Sequence, residues 1–169
     1  PEAIHGINFL PFHGGSLYLG HHPANLAANY ANLVSENGGP EGTGGGPNDW
    51  TDIIWLAQSL YDPTAALAKF NANADSYSVE SGETRAHTYH WLANLEALGQ
   101  VDTSIWADRA TVAAFSNNGV RTYVYSNPKC SADSATFSDG TVVPASARSM
   151  IAHRAGEADR SWSMGACNT

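Results

Sequence analysis

Positive charge is scarce in this sequence. Only 8 Lys and Arg residues accompany 16 Asp and Glu residues, which gives a net charge of -8. A protein that binds nucleic acid needs clustered cations against the phosphates, and no such cluster occurs here. An anionic membrane surface demands the same positive charge. We therefore expect neither nucleic acid nor membrane as a partner, and a neutral ligand fits the composition better.

Long apolar runs are missing as well, since no stretch of about 18 hydrophobic residues occurs. No signal peptide is visible. The chain begins with Pro1 rather than Met, which predicts that an upstream part has been removed or lies outside this sequence. Hydrophobic residues still make up 43% of the 169 residues, enough for one folded domain with a core.

Cysteine is rare and metal motifs are absent. Cys130 and Cys167 are the two cysteines, and their spacing matches no zinc site. They form a disulfide if the protein is exported, with two free thiols as the alternative. The histidines near the N-terminus do not have the spacing of a metal-binding helix. We therefore expect no metal site and no cofactor.

Hydrophobic periodicity predicts helices in the first hundred residues. Pro23 and Pro63 occupy first helical positions, with Asp62 as a cap, and Gly99 ends the last helix. The four predicted helices run from Pro23 to before Gly38, from Trp50 to Tyr61, from Pro63 past Phe70, and from a Ser81 cap to Leu98.

The pattern changes to β after Val101. Asn118-Gly119 and Asp139-Gly140 each lie between two β-prone runs, which predicts two hairpins in series and a small antiparallel sheet. We divide the chain into a helical segment over residues 1–106, a β-hairpin region over 107–150 and an irregular tail over 151–169.

The stretch Gly82–Trp91, GETRAHTYHW, is dense in polar and aromatic groups. On a helix, Glu83, His87 and Trp91 share one face at a spacing of four residues, and His90 lies close to it. Such a face can hydrogen-bond a sugar and stack on it. The alternative is that Glu83 only stabilises the positive end of the helix and Trp91 belongs to the core.

Low overall charge is also typical of a sugar-binding surface. Charged residues make up 14% of the chain, and aromatics, Asn, Ser, Thr and Gly replace them. An exported protein with an uncharged polar surface has the same composition, so this observation leaves both alternatives open.

A catalytic pair is harder to identify. Glycoside hydrolysis uses two carboxyls, roughly 5–5.5 Å apart for retention or 6.5–9.5 Å for inversion. Glu80 and Glu83 can meet the first spacing, but so can any two glutamates three residues apart. Asp49 and Asp52 are interpreted as charges at a helix N-terminus. We therefore assign no catalytic residue.

Five blocks in order carry a family resemblance: GINFLPFHGGSLYLG, WTDIIWLAQSLYDPTAALAKF, GETRAHTYHWLANLEALGQVD, VAAFSNNGVRTYVYSNP and ATFSDGTVV. From about Ile4 to Val143, the chain resembles the C-terminal part of glycoside hydrolase family 81, the endo-β-1,3-glucanases. The resemblance implies a mainly α fold, part of an (α/α)6 toroid, followed by the small antiparallel region of two hairpins. It also implies β-1,3-glucan as the substrate and a secreted or cell-wall-associated protein.

The same resemblance implies an inverting mechanism, with an Asp as the acid and a base within a Glu-rich helix motif of the type E-S-x-S-E. Neither motif occurs in this chain, and both belong upstream of the block GINFLPF. We therefore expect a C-terminal portion that lines the glucan cleft and has the rest of its parent chain as a partner. The alternatives are a non-catalytic β-glucan-binding module and a structural helical domain.

Residue type and helix face, rather than a family motif, select the substrate-binding candidates. Aromatic rings would stack on glucose units, and polar groups would hold hydroxyls or orient water. The candidates are Tyr18, Trp50, Glu83, His87, Tyr89, His90 and Trp91.

Overall fold

The computed structural model describes residues 14–37 and 51–167. These residues form a 3₁₀ helix, four α-helices and seven β-strands. The chain divides into two compact units, Pro1–Gln100 and Val101–Thr169. Nowhere in the described ranges is there a helix with the length and hydropathy that a membrane span requires.

The first unit is helical, and its second α-helix lies at the centre. All nine residues of that helix are buried, and it contacts each of the other three α-helices. Its middle, Ile53–Ala57, is a continuous apolar run, which explains why the helix is surrounded by the rest of the unit. The elements are a 3₁₀ helix over Gly14–His21, α1 over Pro23–Asn37, α2 over Thr51–Ser59, α3 over Pro63–Asn73 and α4 over Arg85–Leu98.

The helix ends follow local chemistry. The Asp62 carboxylate accepts from the Ala65 N–H over 3.0 Å, directly before Pro63 at the first position of α3. At the end of α4, Gly99 has φ +89° and donates to the Leu95 carbonyl over 2.7 Å. A positive φ suits glycine, which has no Cβ to clash.

The start of α4 differs from the sequence-based prediction. Ser81 does not cap it; Thr84 does, and its hydroxyl accepts from the His87 N–H over 3.1 Å. Gly82 lies between them with φ +91°, which a right-handed helix cannot contain. The helix therefore begins three residues later than a Ser81 cap predicts.

Aromatic packing forms the core of the first unit. Trp55 on α2 is fully buried, and its ring centroid lies 6.2 Å from Phe70 and 5.1 Å from Tyr77, both edge to face. Each such pair contributes about 0.5–1.5 kcal/mol beyond its buried area. This cluster holds α2 against α3 and the loop that follows α3.

The strands form two sheets. The larger has the order β1-β2-β3-β6-β7, and the smaller pairs β4 with β5. The pairs β2–β3, β3–β6, β6–β7 and β4–β5 are antiparallel. The strands are β1 Gln100–Val101, β2 Val112–Asn117, β3 Val120–Asn127, β4 Asp133–Thr136, β5 Val142–Ala145, β6 Ser149–Arg154 and β7 Arg160–Ser163.

The expectation of a mainly α chain, part of a toroid with two hairpins, is wrong. The described residues contain seven strands in two antiparallel sheets. The two hairpins are present, but they belong to different sheets. Two further strands, β6 and β7, come largely from the tail that we expected to be irregular. All four residues of β7 are exposed, so its sequence has no alternation of buried and exposed residues. The strand forms because its backbone pairs with that of β6.

The turn of the β2–β3 hairpin explains why its sequence signal is strong. Asn118 has φ +51° and Gly119 has φ +80°, so both central residues are left-handed, as a two-residue type I′ turn requires. The pairing of Asn117 with Val120 follows directly.

The core of the second unit lies between its two sheets. Tyr123 on β3 contacts Phe137, which follows β4, with ring centroids 4.9 Å apart. Ile105 and Ala107 pack against this cluster from the side. Its buried members are Ala114, Tyr123, Tyr125, Ala135, Phe137, Val143, Ala145 and Ile151.

Ion pairs around Asp133 and one disulfide link segments of the second unit. Asp133 accepts from two nitrogens of Arg109 at 3.1 Å each, from Lys129 at 2.5 Å and from the Tyr125 hydroxyl at 3.0 Å. These donors, Arg109 foremost, hold the pKa of Asp133 far below its usual value. Cys130 and Cys167 form a disulfide with Cα atoms 5.8 Å apart.

Candidate functional site

A row of three side chains runs along one face at the start of α4: Glu83, His87 and Trp91, here called the α4 row. Glu83 Oε1 lies 2.6 Å from His87 Nδ1, and the His87 and Trp91 ring centroids are 6.2 Å apart. The Glu83 side chain is 12% exposed and that of His87 is 40% exposed. The acid is therefore held inside while the imidazole reaches the surface.

The indole end of the row is fixed to α2. Trp91 Nε1 donates to Ser59 Oγ over 3.0 Å, and Ser59 donates in turn to the Leu56 carbonyl over 2.6 Å. Ser59 is fully buried. Ser59 was not among the candidates predicted from the sequence, although a hydroxyl next to an apolar run indicates a specific hydrogen-bond partner.

The acidic end is fixed by backbone contacts. The Thr84 N–H donates to Glu83 Oε1 over 2.9 Å, and the Thr84 hydroxyl caps the His87 N–H. The ring and the backbone amide of His87 are thus both held by residues that precede α4. Such double anchoring limits the orientations that the imidazole can take.

A buried carboxylate lies behind the row. Asp52 on α2 is fully buried and accepts from the Ile53 N–H and the Glu80 N–H, both at 2.9 Å. Burial raises the pKa of Asp52, the two backbone donors oppose that shift, and the nearby charges of Glu83 and Glu80 add to it. From the sequence, Asp52 was interpreted only as a charge at a helix N-terminus.

Asp49, the other member of that predicted pair, lies outside the described residues. Glu80 uses its backbone: its N–H donates to Asp52, and its carbonyl accepts from the Glu83 N–H over 2.9 Å. That Glu80 and Glu83 form an acid–base pair stays a prediction.

The other described candidates, Tyr89, His90 and Tyr18, have ring neighbours outside the row. Tyr89 is two residues after His87, about 200° around the helix, and its ring lies 6.0 Å from Phe70. His90 is exposed and its ring is 5.7 Å from that of Tyr89. Tyr18 is 64% exposed, and its ring neighbour is His21 at 6.4 Å. Trp50 lies outside the described residues.

The chemistry of the row suits a neutral, hydroxyl-rich ligand. It offers an indole edge and face, an imidazole nitrogen and a carboxylate, with no cation other than a protonated imidazole. Stacking of a flat ring and hydrogen bonds to hydroxyls are what such a set provides.

Comparison with known proteins identifies the relatives of this chain, although no family model matches it. It is 48% identical over 143 residues to a glucan endo-1,3-beta-D-glucosidase of Thermobifida fusca, covering 85% of this chain and 18% of that protein. It is 41% identical over 155 residues to a protein of the same name from Acetivibrio thermocellus, covering 92% and 19%.

A solved structure agrees with these sequence matches. The family 81 glycoside hydrolase CtLam81A from Clostridium thermocellum superposes with a TM-score of 0.79 at 42% identity, over 89% of this chain and 20% of that one. The chain thus spans about a fifth of the length of each relative. On these matches the chain belongs to glycoside hydrolase family 81, where it corresponds to the C-terminal part of larger relatives.

Proposed function

We propose that this chain is the C-terminal portion of an endo-β-1,3-glucanase and that the α4 row lines its glucan cleft. The observation that carries the proposal is the row itself: a half-exposed imidazole between a shielded carboxylate and an anchored indole. Relatives named glucan endo-1,3-beta-D-glucosidases support β-1,3-glucan as the ligand.

The row contributes binding rather than proton transfer to the glycosidic bond. Inversion needs a second carboxyl roughly 6.5–9.5 Å from the first, on the opposite face of the sugar. Glu83 is engaged with His87 and the Thr84 amide, and Asp52 is fully buried. As the family resemblance implies, we place the acid and base in the part of the relatives that this chain does not span, and that part is also the proposed partner of this chain.

We also propose that the protein is exported from the cell. The disulfide between Cys130 and Cys167 is of a kind that persists in oxidising compartments, and a β-glucan substrate would be met outside the cell. Thiol titration of the protein from its native source tests this, since two free thiols in that material contradict export.

Hydrolysis of laminarin by the 169-residue chain is the first test. We expect no release of reducing ends from the chain alone, and release from a longer protein that includes the upstream sequence. Turnover by the chain alone contradicts the assignment of the acid and base elsewhere.

Co-sedimentation with insoluble β-1,3-glucan is the second test, because it detects binding without chemistry. We expect the chain to sediment with the polymer and a His87→Ala variant to stay in solution. The matched control is His153→Ala, because His153 pairs with Asp159 at 2.7 Å much as His87 pairs with Glu83. Equal loss in both variants contradicts a role for the α4 row.

If the chain binds the glucan and the longer protein also fails to hydrolyse it, the non-catalytic binding module is the better description. Failure of the chain to bind any β-glucan leaves a purely structural role.

A further inference from the structure

Asp52 has an unusual position for an acid. It lies in the first turn of α2, where every residue is buried, and both of its oxygens are used. One accepts from the Ile53 N–H within its own helix, and the other accepts from the Glu80 N–H, both at 2.9 Å. A residue that served α2 alone would need only the first of these bonds.

The second bond reaches the turn that precedes α4. The Glu83 N–H donates to the Glu80 carbonyl over 2.9 Å, and Gly82 between them has φ +91°. Asp52 therefore holds one end of a four-residue turn whose other end is Glu83. We call residues 80–83 the Glu80 turn.

The side chain of Glu83 in turn fixes the ring of His87. Its Oε1 accepts from the Thr84 N–H at 2.9 Å and lies 2.6 Å from His87 Nδ1. An ionised carboxylate can only accept, so in the neutral imidazole the proton resides on Nδ1. Nε2 is then the acceptor, and among the described residues it has no hydrogen-bond partner.

We infer that Asp52 is a positioning residue: through the Glu80 turn it sets Glu83, and thereby fixes His87 in the tautomer whose Nε2 accepts a hydrogen bond from a sugar hydroxyl. This inference rests on the proposed function for the identity of the ligand. The tautomer itself does not depend on it.

Both oxygens of Asp52 are needed for this role. An asparagine has almost the same shape but presents one acceptor and one N–H₂ donor. One of the two backbone N–H groups then faces a donor and loses its bond. The burial that raises the pKa of Asp52 also keeps water from replacing that bond.

The decisive experiment records two-bond ¹⁵N–¹H correlations of the histidine rings, with His87 assigned by the His87→Ala variant. At a pH where the shifts show a neutral ring, the wild-type chain should carry the proton on Nδ1. Asp52→Asn should shift His87 toward the mixture of an unpartnered ring. Asp62→Asn is the control, because its carboxylate also accepts a backbone N–H but at the cap of α3.

An unchanged His87 tautomer in a folded Asp52→Asn variant overturns the inference, because a merely structural acid would alter only stability. Near-ultraviolet circular dichroism establishes folding. If Asp52→Asn does not fold, Gly82→Ala strains the same turn through its positive φ, with nothing within 4 Å of the added Cβ. It should shift the tautomer in the same direction, and an unchanged tautomer there is equally contradictory.

Affinity for laminarihexaose separates this inference from the proposed function. Asp52→Asn and Glu83→Ala should each weaken binding by up to about tenfold, the size of one lost hydrogen bond between a hydroxyl and a neutral imidazole nitrogen. The double variant should be no weaker than Glu83→Ala, since both act through one link. A tautomer shift without glucan binding supports the positioning role and contradicts the proposed function. Binding with additive losses contradicts the positioning role.

Discussion

The Nε1–H of Trp91 on α4 donates to the buried hydroxyl of Ser59 at the end of α2 over 3.0 Å. Ser59 is itself held by the Leu56 carbonyl, so the indole is tied to the most buried helix of its unit. A stacking ring that is already held in place loses little conformational entropy on binding. This contact gives the α4 row its rigidity.

Removing that hydroxyl should destabilise the protein measurably. We expect Ser59→Ala to lower the free energy of unfolding by about 1–2 kcal/mol, because the part-buried indole N–H loses this acceptor. Urea unfolding followed by fluorescence measures it. Ser35→Ala on an exposed position of α1 is the control, and equal effects in the two variants contradict the contact.

Sequence reasoning recovered the local elements of the first unit because their signals are local. Asp62 and Pro63 define the start of α3, and Gly99 defines the end of α4. The fold class failed in the second unit, where β7 has no exposed–buried alternation and exists through its pairing with β6. Pairing at the edge of a sheet is a tertiary property that no short sequence window contains.

Acid should weaken the second unit through Asp133. Its pKa is depressed, mainly by Arg109 and Lys129. At a pH between the folded-state and unfolded-state pKa values, Asp133 is therefore protonated in the unfolded state and ionised in the folded state. The stabilisation is present above the ordinary value of 3.8 and is lost as the pH falls below it. Urea unfolding at a series of pH values should show this loss, and Asp133→Asn should flatten it. An acid limb that persists unchanged in the variant assigns the effect to other carboxyls.

The pKa of Asp52 should be shifted in the opposite direction to that of Asp133. Burial raises its pKa, so its contribution to stability is greatest below 3.8 and declines as the pH rises through the folded-state value. Side-chain carboxyl ¹³C shifts measure both residues in one sample. The midpoint of Asp52 should lie above 3.8 and that of Asp133 below it. The reverse order contradicts the environments described for both carboxyls.

Asn127 joins the end of β3 to two loops of the second unit. It is fully buried, its amide donates to the Ser131 and Ser146 carbonyls at 2.9 and 2.8 Å, and its oxygen accepts from the Lys129 N–H at 3.1 Å. Asn127→Asp places a carboxylate against carbonyl oxygens, and we expect a loss of more than about 2 kcal/mol in urea unfolding.

The control for that change is Asn118→Asp in the exposed β2–β3 turn. It should stay within about 0.5 kcal/mol of the wild type, because Asp also adopts a left-handed turn. If Asn118→Asp lowers the free energy of unfolding as much as Asn127→Asp does, the hydrogen bonds of the buried Asn127 amide do not account for the loss.

The disulfide should stabilise the end of the second unit. Cys130 and Cys167 are 37 residues apart, and a closed loop of that size stabilises by about 4 kcal/mol in the chain-entropy model. The paired Cys130→Ser and Cys167→Ser variant should therefore unfold at lower urea, and the amides of β7 should exchange faster. Reduction of the wild type with dithiothreitol should reproduce the variant, and no change on reduction contradicts the prediction.

The candidate site was partly visible in the sequence. The four-residue spacing of Glu83, His87 and Trp91 placed them on one face, as the structure has them. Ser59 and Asp52 were missed because their partners lie 32 and 28 residues away in the chain. Their common signal was a polar residue next to the apolar run of α2. Such a residue needs a hydrogen-bond partner when it is buried, but the sequence does not show which residue that partner is.

The most direct test of the account is isothermal titration of the chain with laminarihexaose and with cellohexaose. We expect heat of binding for the β-1,3-linked hexamer, weaker or no binding for the β-1,4-linked one, and at least a tenfold loss in His87→Ala. His153→Ala should bind as the wild type does. Equal affinity of the wild type and His87→Ala for laminarihexaose, with both folded, contradicts the claim that the α4 row forms a wall of the glucan cleft.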